Sequence, residues 1–203
     1  MAGNAADHSL LTAASRDDAA GVRAALDAGA AIDARDNQGQ TALLFAVQGG
    51  DSALARDLIQ RGADINASAL NHDTPWLLAG ALGRTDMLAT MLDTGKVDYT
   101  KRNRYGGNAL IPACERGHVE TVRLLLERSK IDVDHVNNLG WTALLEAVIL
   151  SDGGPRHIGI VRLLLAAGAD PNIADKDGVT PHQHARDRRY DAIAALIKDA
   201  GGK

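Results

Sequence analysis

The sequence predicts an all-α protein built from repeated helix–turn–helix units. Segments that begin at Thr41, Thr74, Asn108, Thr142 and Thr180 resemble one another and start 33, 34, 34 and 38 residues apart. A period of this length is typical of repeat proteins whose units stack into a solenoid. Composition agrees, because the 203 residues are 45% hydrophobic and only 3% aromatic. A core so poor in rings is filled by Leu, Ala, Val and Ile, which suits closely packed helices.

A sixth unit precedes these five. Counting 33 residues back from Thr41 reaches His8, and the segment that starts there ends at Ala13, in register with Ala46. We therefore expect six repeats in a single domain spanning residues 1–203, at approximately residues 5–36, 37–69, 70–103, 104–137, 138–175 and 176–203.

Each unit begins with a short helix. In the third and sixth units a Thr is followed by Pro75 or Pro181, the N-cap and first-position arrangement of a helix start. The helix is expected to end near a glycine, as at Gly50, Gly83 and Gly117.

A second helix follows in each unit. Its apolar residues are spaced by three and four, as at Val119, Val122, Leu125 and Leu126. It is expected to stop at a left-handed glycine, namely Gly29, Gly62, Gly95 or Gly168. Hairpin-like turns rich in Asn, Asp and Gly then occupy residues 36–39, 137–140 and 175–178.

These features together resemble the ankyrin-repeat family. The repeat length, the Thr-Pro start, the helical alanines, Gly117-His118 and the Gly-Ala-Asp sequences at 62–64 and 168–170 carry the resemblance, which covers about residues 7–201. It implies an ankyrin-repeat solenoid of six units. The stretch from Gly140 to His157 is also similar to small, free-standing bacterial ankyrin proteins, some of which are exported.

Three departures from the family pattern matter. Pro112 lies inside the first helix of the fourth unit, where we expect a local distortion. The fifth unit carries five extra residues between its helices, around 151–155. The His that the family places after the conserved Leu is replaced in five units, by Leu44, Leu77, Ile111, Leu145 and Gln183.

Charge and cysteine content exclude several classes of protein. With 22 basic and 26 acidic residues the net charge is −4, which argues against a globally basic nucleic-acid binder. The single cysteine, Cys114, excludes an internal disulfide framework and a multi-thiolate zinc site. No apolar run approaches the roughly 20 residues of a membrane helix, and the start shows no signal peptide. We expect a monomer that binds neither nucleic acid nor membrane. It would be cytoplasmic as written, or periplasmic if a signal peptide has been removed.

No residue pattern indicates catalysis, a cofactor or a metal site. His118 and His157 fall at equivalent helix–helix turns, where the family uses His structurally. His182 and His184 are two apart on a helix and so point in different directions. No Gly-x-Ser-x-Gly or phosphate-binding glycine motif occurs, and Cys114 is interpreted as a core residue. We therefore predict no enzymatic activity, no catalytic residues and no cofactor.

The resemblance implies where a partner binds. In this family the turn tips and the facing side of the first helix form the concave binding surface. Trp, Tyr and Arg are enriched in interface hot spots. The candidate partner-binding residues are Arg35, Gln38, Gln40, Leu70, Asp73, Arg102, Arg104, Tyr105, Leu139 and Trp141. Alternatively, Trp141 packs on the neighbouring turn. Trp76 is expected in the core.

The sequence thus predicts a non-catalytic protein–protein interaction module whose partner is unidentified. Two alternatives stay open. One is a periplasmic accessory protein that supports a bacterial, stress-related enzyme. The other is a hydrolase or metal enzyme that uses His182 and His184 of the last repeat.

Overall fold

The computed structural model describes residues 5–203, and these form twelve α-helices and no strand. The helices come in six consecutive pairs, which confirms the predicted all-α repeat fold. The pairs are α1 (Ala5–Ala14) with α2 (Ala19–Asp27), α3 (Ala42–Gly49) with α4 (Ser52–Gln60), α5 (Pro75–Ala81) with α6 (Thr85–Asp93), α7 (Leu110–Glu115) with α8 (Val119–Arg128), α9 (Ala143–Ile149) with α10 (Pro155–Ala166), and α11 (Pro181–Asp187) with α12 (Asp191–Asp199).

The chain divides into two compact units. Unit 1 comprises described residues 5–79 and 84–104, and unit 2 comprises residues 80–83 and 105–203. Unit 1 therefore holds α1 to α4, most of α5, and α6, whereas unit 2 holds the end of α5 and α7 to α12. The predicted single domain and its repeat boundaries stay a prediction.

The first helix of repeats two to six starts where the sequence predicts. In four of them a Thr hydroxyl oxygen accepts a hydrogen bond from the backbone N–H three residues later, at 3.1–3.3 Å; these are Thr41, Thr74, Thr142 and Thr180. Each bond satisfies an N–H group that the helix itself leaves without a partner. In the fourth repeat Asn108 takes this role through its Oδ1.

Pro112 distorts the start of α7, as expected from the sequence. The helix has six residues and begins two residues after Asn108, whereas α3 begins one residue after Thr41. Proline has no N–H to donate to the carbonyl group four residues earlier. That carbonyl belongs to Asn108, so the first turn of this helix lacks its usual bond.

Glycines end the helices at the expected positions. Gly50 follows α3 with φ of 85°, and Gly62 follows α4 with φ of 95°. This left-handed backbone is disfavoured for residues with a side chain, so glycine is the residue that lets the chain turn there.

Equivalent Asp and Asn side chains link neighbouring repeats within each unit. In every case Oδ1 accepts a hydrogen bond from a backbone N–H of the following repeat. The pairs are Asp33 with Asp64 and Asn66 with Asp98 in unit 1, and Asp134 with Asp170 in unit 2, all at 2.9 Å. The same bond joins the fifth and sixth repeats, where Asn172 accepts from the N–H of Lys203 at 3.1 Å and also donates to the carbonyl oxygen of Gly201 at 3.3 Å.

Buried apolar side chains fill the core. Trp76 is only 2% exposed and meets Tyr99 edge to face, with 6.0 Å between ring centroids. Cys114 is fully buried, and this burial raises the pKa of its thiol well above the usual value. Both residues are therefore core residues, as predicted. Among residues 5–203, no helix combines the length and apolar character that a membrane span needs.

The insertion in the fifth repeat forms a fixed loop. Residues 150–154 join α9 to the twelve-residue α10. Tyr190 Oη donates to the carbonyl oxygen of Ser151 at 2.7 Å. His157 is buried, with Nδ1 3.1 Å from Asp152 Oδ1 and Nε2 3.0 Å from a backbone carbonyl oxygen at the end of α7. The predicted structural role of His157 is thus confirmed.

Candidate functional site

Unit 1 carries seven of the ten residues predicted to bind a partner. They lie on three turns that precede first helices, at residues 35–40, 68–73 and 102–104, and are Arg35, Gln38, Gln40, Leu70, Asp73, Arg102 and Arg104. Arg35, Gln38, Leu70 and Arg104 are exposed, whereas the other three are half-buried.

The first two turns of this group are ordered by hydrogen bonds. Asp36 Oδ1 accepts from the N–H groups of Gln38 and Gln40, both at 2.8 Å. The N–H of Leu70 donates to the carbonyl oxygen of Gln38 at 2.9 Å, and Arg35 Nη1 lies 2.6 Å from a second-turn carbonyl oxygen. Leu70, whose side chain is 70% exposed, is thereby held at the surface.

The guanidinium group of Arg102 is directed toward the backbone of its own turn. It is half-buried, and its Nη1 donates to the carbonyl oxygens of Tyr99 at 2.6 Å and Lys101 at 2.8 Å. This guanidinium group therefore stabilises its own turn. Its predicted role in partner binding stays a prediction.

Unit 2 carries the other three predicted residues, on two adjoining turns. Tyr105 and Leu139 are 51% and 47% exposed, and Trp141 is half-buried. Val136, a residue absent from the predicted set, is 45% exposed on the same turn as Leu139. We call Tyr105, Val136, Leu139 and Trp141 the unit 2 tip surface.

A backbone hydrogen bond joins the two turns of this surface. The N–H of Asn138 donates to the carbonyl oxygen of Tyr105 at 2.9 Å. The apolar side chains of the unit 2 tip surface therefore lie on neighbouring segments whose spacing is fixed.

Asn137 organises the second of these turns. Its side chain is buried, and its Oδ1 accepts from the N–H groups of Leu139 at 2.9 Å and Trp141 at 3.0 Å. Its own N–H donates to the carbonyl oxygen of Trp141 at 3.0 Å. Asn137 thus fixes the backbone at two members of the tip surface.

The remaining end of the Asn137 side chain contacts a buried acid. Asn137 Nδ2 donates to Glu146 Oε1 at 2.8 Å, and Glu146 is only 5% exposed on α9. Burial and the negative charge of Glu115 raise the pKa of Glu146 to about 7, although the bond from Asn137 acts in the opposite direction. Because removal from water disfavours a carboxylate, this acid changes protonation state near neutral pH.

Sequence reasoning missed Asn137 and Glu146 as contributors to the site. A signal for the first was present, because Asp36 and Asp175 occupy the equivalent position five residues before the capping Thr. All three use Oδ1 to accept two backbone N–H groups of their turn.

His184 of the last repeat forms a local contact. His184 Nε2 lies 2.6 Å from Asp175 Oδ2, and its Nδ1 lies 3.2 Å from Arg188 Nη1. Within the described part of the chain, no three His, Cys, Asp or Glu residues are placed together as metal ligands. The His184–Asp175 contact stabilises the turn that precedes α11.

Comparison with known families agrees with the repeat pattern. A family described as ankyrin repeats in three copies matches residues 76–175, and one described as ankyrin repeats in many copies matches residues 10–59. The chain is 40% identical over 191 residues to the ankyrin repeat protein YahD of Escherichia coli K12, and the alignment covers 94% of each chain.

Solved structures give the same result. The ankyrin repeat domain ABAYE2397 from Acinetobacter baumannii AYE is 51% identical, with a TM-score of 0.90 and coverage of 96% of this chain and 98% of that one. The ankyrin repeat domain of Bcl-3, described as a unique member of the IkappaB protein family, is 28% identical, with a TM-score of 0.82 and coverage of 96% and 86%. The predicted ankyrin resemblance and the likeness to bacterial proteins are confirmed.

Proposed function

Because the chain belongs to the ankyrin-repeat family, whose repeats are generally non-catalytic protein–protein interaction modules, we propose that it binds a protein partner through its turn tips. The unit 2 tip surface supplies the main apolar contact. Turn residues of unit 1, including the exposed Arg35, Leu70 and Arg104, supply further contacts.

The distribution of exposed apolar side chains carries this proposal. Five large apolar residues are exposed among residues 5–203: Leu70, Tyr105, Val136, Leu139 and Leu150. Four of the five lie on turn tips, and three of them belong to the unit 2 tip surface. Apolar side chains gathered on a surface commonly mark an interaction site, and aromatic residues commonly dominate its binding energy.

The rigidity of the turns supports the same function. The bonds from Asn137 Oδ1 and between Asn138 and Tyr105 hold the surface in one arrangement before any partner arrives. A preformed surface loses less conformational entropy on binding, which strengthens affinity.

A comparative affinity purification tests the proposal. Immobilised wild-type protein and the Leu139→Ser and Tyr105→Ser variants are exposed to the same bacterial lysate, and bound proteins are quantified. The matched control is Leu150→Ser. Leu150 has the same 47% exposure as Leu139, but it lies just after the C-terminal end of α9, whereas Leu139 precedes the N-terminal end.

We expect a specific partner to be lost from both tip variants and retained by the control. With the purified partner, each tip substitution should weaken binding by about 2 kcal/mol or more if its side chain is a hot spot. Equal capture by all four proteins would place the binding surface elsewhere.

A further inference from the structure

We propose that Glu146 is a positioning residue that couples the geometry of the unit 2 tip surface to the protonation of its own carboxyl group. Only the consequence for binding rests on the proposed function. The structural coupling can be measured without any partner.

The coupling begins with a single side-chain amide. Asn137 Nδ2 donates to Glu146 Oε1 at 2.8 Å, while Oδ1 of the same amide accepts from the N–H groups of Leu139 and Trp141. An amide group is planar, so a movement of its nitrogen also moves its oxygen. A displacement of the Glu146 carboxyl group is therefore transmitted to the backbone of the turn.

The surroundings of Glu146 disfavour its ionised form. Glu115, at the end of α7, is the charged residue whose field acts on it, and the buried Cys114 lies on the same helix. Helices α10 and α11 also pack against α9. On α10, His157 is directed toward Asp152 and a carbonyl oxygen, and on α11, His184 is bonded to Asp175 and Arg188. These two histidines are thus engaged with groups other than Glu146.

Protonation consequently selects between two states. The neutral carboxyl group stays buried and keeps its bond to Asn137. Ionisation places a negative charge in a poorly solvated site beside Glu115, and these two effects together outweigh the favourable bond from Asn137, since the pKa rises to about 7. The carboxylate then moves toward water and draws on Asn137, which loosens the bonds to Leu139 and Trp141. The tip surface is ordered when Glu146 is neutral and loosened when it is ionised.

Amide NMR of the intact protein tests the coupling directly. Backbone signals of Leu139 and Trp141 are followed from about pH 5.5 to about pH 8.5, a range that brackets the ionisation of Glu146. In the wild type both signals should titrate with one midpoint near 7. In Glu146→Gln, which keeps the size and the acceptor oxygen, this titration should disappear.

Glu115→Gln provides the second variant. It removes the repulsion while leaving Glu146 in place, so the midpoint for Leu139 and Trp141 should move to lower pH. This variant decides the question even if Glu146→Gln does not fold, because Glu115 is only half-buried.

Three results would overturn the proposal. One is a wild-type signal that does not change with pH, and another is a midpoint that Glu115→Gln leaves in place. The third is a titration that persists in Glu146→Gln, which would assign the change to a different titratable group. None of these results affects the proposed function, whose own readout is partner loss in Leu139→Ser.

Discussion

His184 Nε2 and Asp175 Oδ2 are 2.6 Å apart, at the positions that correspond to Glu146 and Asn137 one repeat earlier. Arg188 Nη1 lies 3.2 Å from His184 Nδ1. A guanidinium group can only donate, so Nδ1 accepts and the ring proton sits on Nε2, which donates to Asp175. Both contacts link a turn to the first helix that follows it. In one the turn residue Asn137 donates to the helix residue Glu146, and in the other the helix residue His184 donates to the turn.

Replacing Asp175 should destabilise the last repeat and reduce its sensitivity to acid. Burial alone would raise the pKa of Asp175, but hydrogen bonds from His184 and from the N–H groups of Val179 and Asp177 hold it below the usual 3.8. The ionised group thus adds stability above the unfolded-state pKa, and this stability is lost as pH falls through the folded-state pKa. We expect Asp175→Asn to cost about 1.5–3 kcal/mol at neutral pH, as for hydrogen bonds to charged groups.

Urea unfolding at neutral pH and at about pH 3 measures this effect. The difference in free energy of unfolding between wild type and Asp175→Asn should be smaller at the acidic pH. A constant difference at both pH values would show that the carboxylate charge contributes nothing.

Glu146 should give the opposite pH dependence of stability. Its pKa rises from 4.5 to about 7 on folding, so the folded protein binds more protons than the unfolded chain between these values. The stability that this proton binding adds to the folded state is fully present below pH 4.5 and is lost as pH rises through about 7. The pKa shift corresponds to a decrease of about 3 kcal/mol in the free energy of unfolding between these limits.

Urea unfolding of wild type and Glu146→Gln across this range checks the prediction. In Glu146→Gln the free energy of unfolding should no longer decrease with pH in this range. In Glu127→Gln, a change at an exposed carboxyl group on α8, the decrease should remain. An unchanged slope in Glu146→Gln would contradict a raised pKa at this residue.

Core substitutions should have unequal effects along the chain. Leu144 and Leu10 are both fully buried, but Leu144 lies in the fifth repeat and Leu10 in the first. In repeat proteins each unit contacts only its neighbours. Leu144→Ala should cost about 2–5 kcal/mol, as large-to-small core changes do. Leu10→Ala should cost less and mainly unfold the first repeat; equal losses in urea melts would refute this.

The stability of the insertion loop, residues 150–154, should depend on the hydroxyl group of Tyr190. Tyr190→Phe removes the bond to the carbonyl oxygen of Ser151 and leaves the ring in place. We expect a loss of about 0.5–1.5 kcal/mol and faster cleavage of residues 150–154 by a broad-specificity protease. Cleavage at the wild-type rate would show that other contacts hold the loop.

The periodic features of the fold were predictable from sequence, whereas the side-chain orientations at the site were not. Thr41 and its equivalents identify helix starts because capping chemistry is local. The burial of Glu146 depends on how a turn folds over a neighbouring helix, and polarity alone suggests an exposed residue. Arg102 illustrates the same limit, because its contact with the carbonyl oxygen of Tyr99 depends on the path of the backbone. The tip positions followed from the period, but the period could not decide whether Trp141 is exposed or packs on the neighbouring turn.

The hydrogen bonds of Asn172 bear on local opening of the sixth repeat. In earlier repeats the equivalent side chain receives a backbone N–H from the next repeat, as Asp134 does from Asp170. Asn172 does the same at the junction of the fifth and sixth repeats, because its Oδ1 accepts from the N–H of Lys203 and its Nδ2 donates to the carbonyl oxygen of Gly201. Local opening of the sixth repeat breaks both bonds. The rate at which the amide hydrogen of Lys203 exchanges with solvent therefore reports how often this repeat detaches from the fifth.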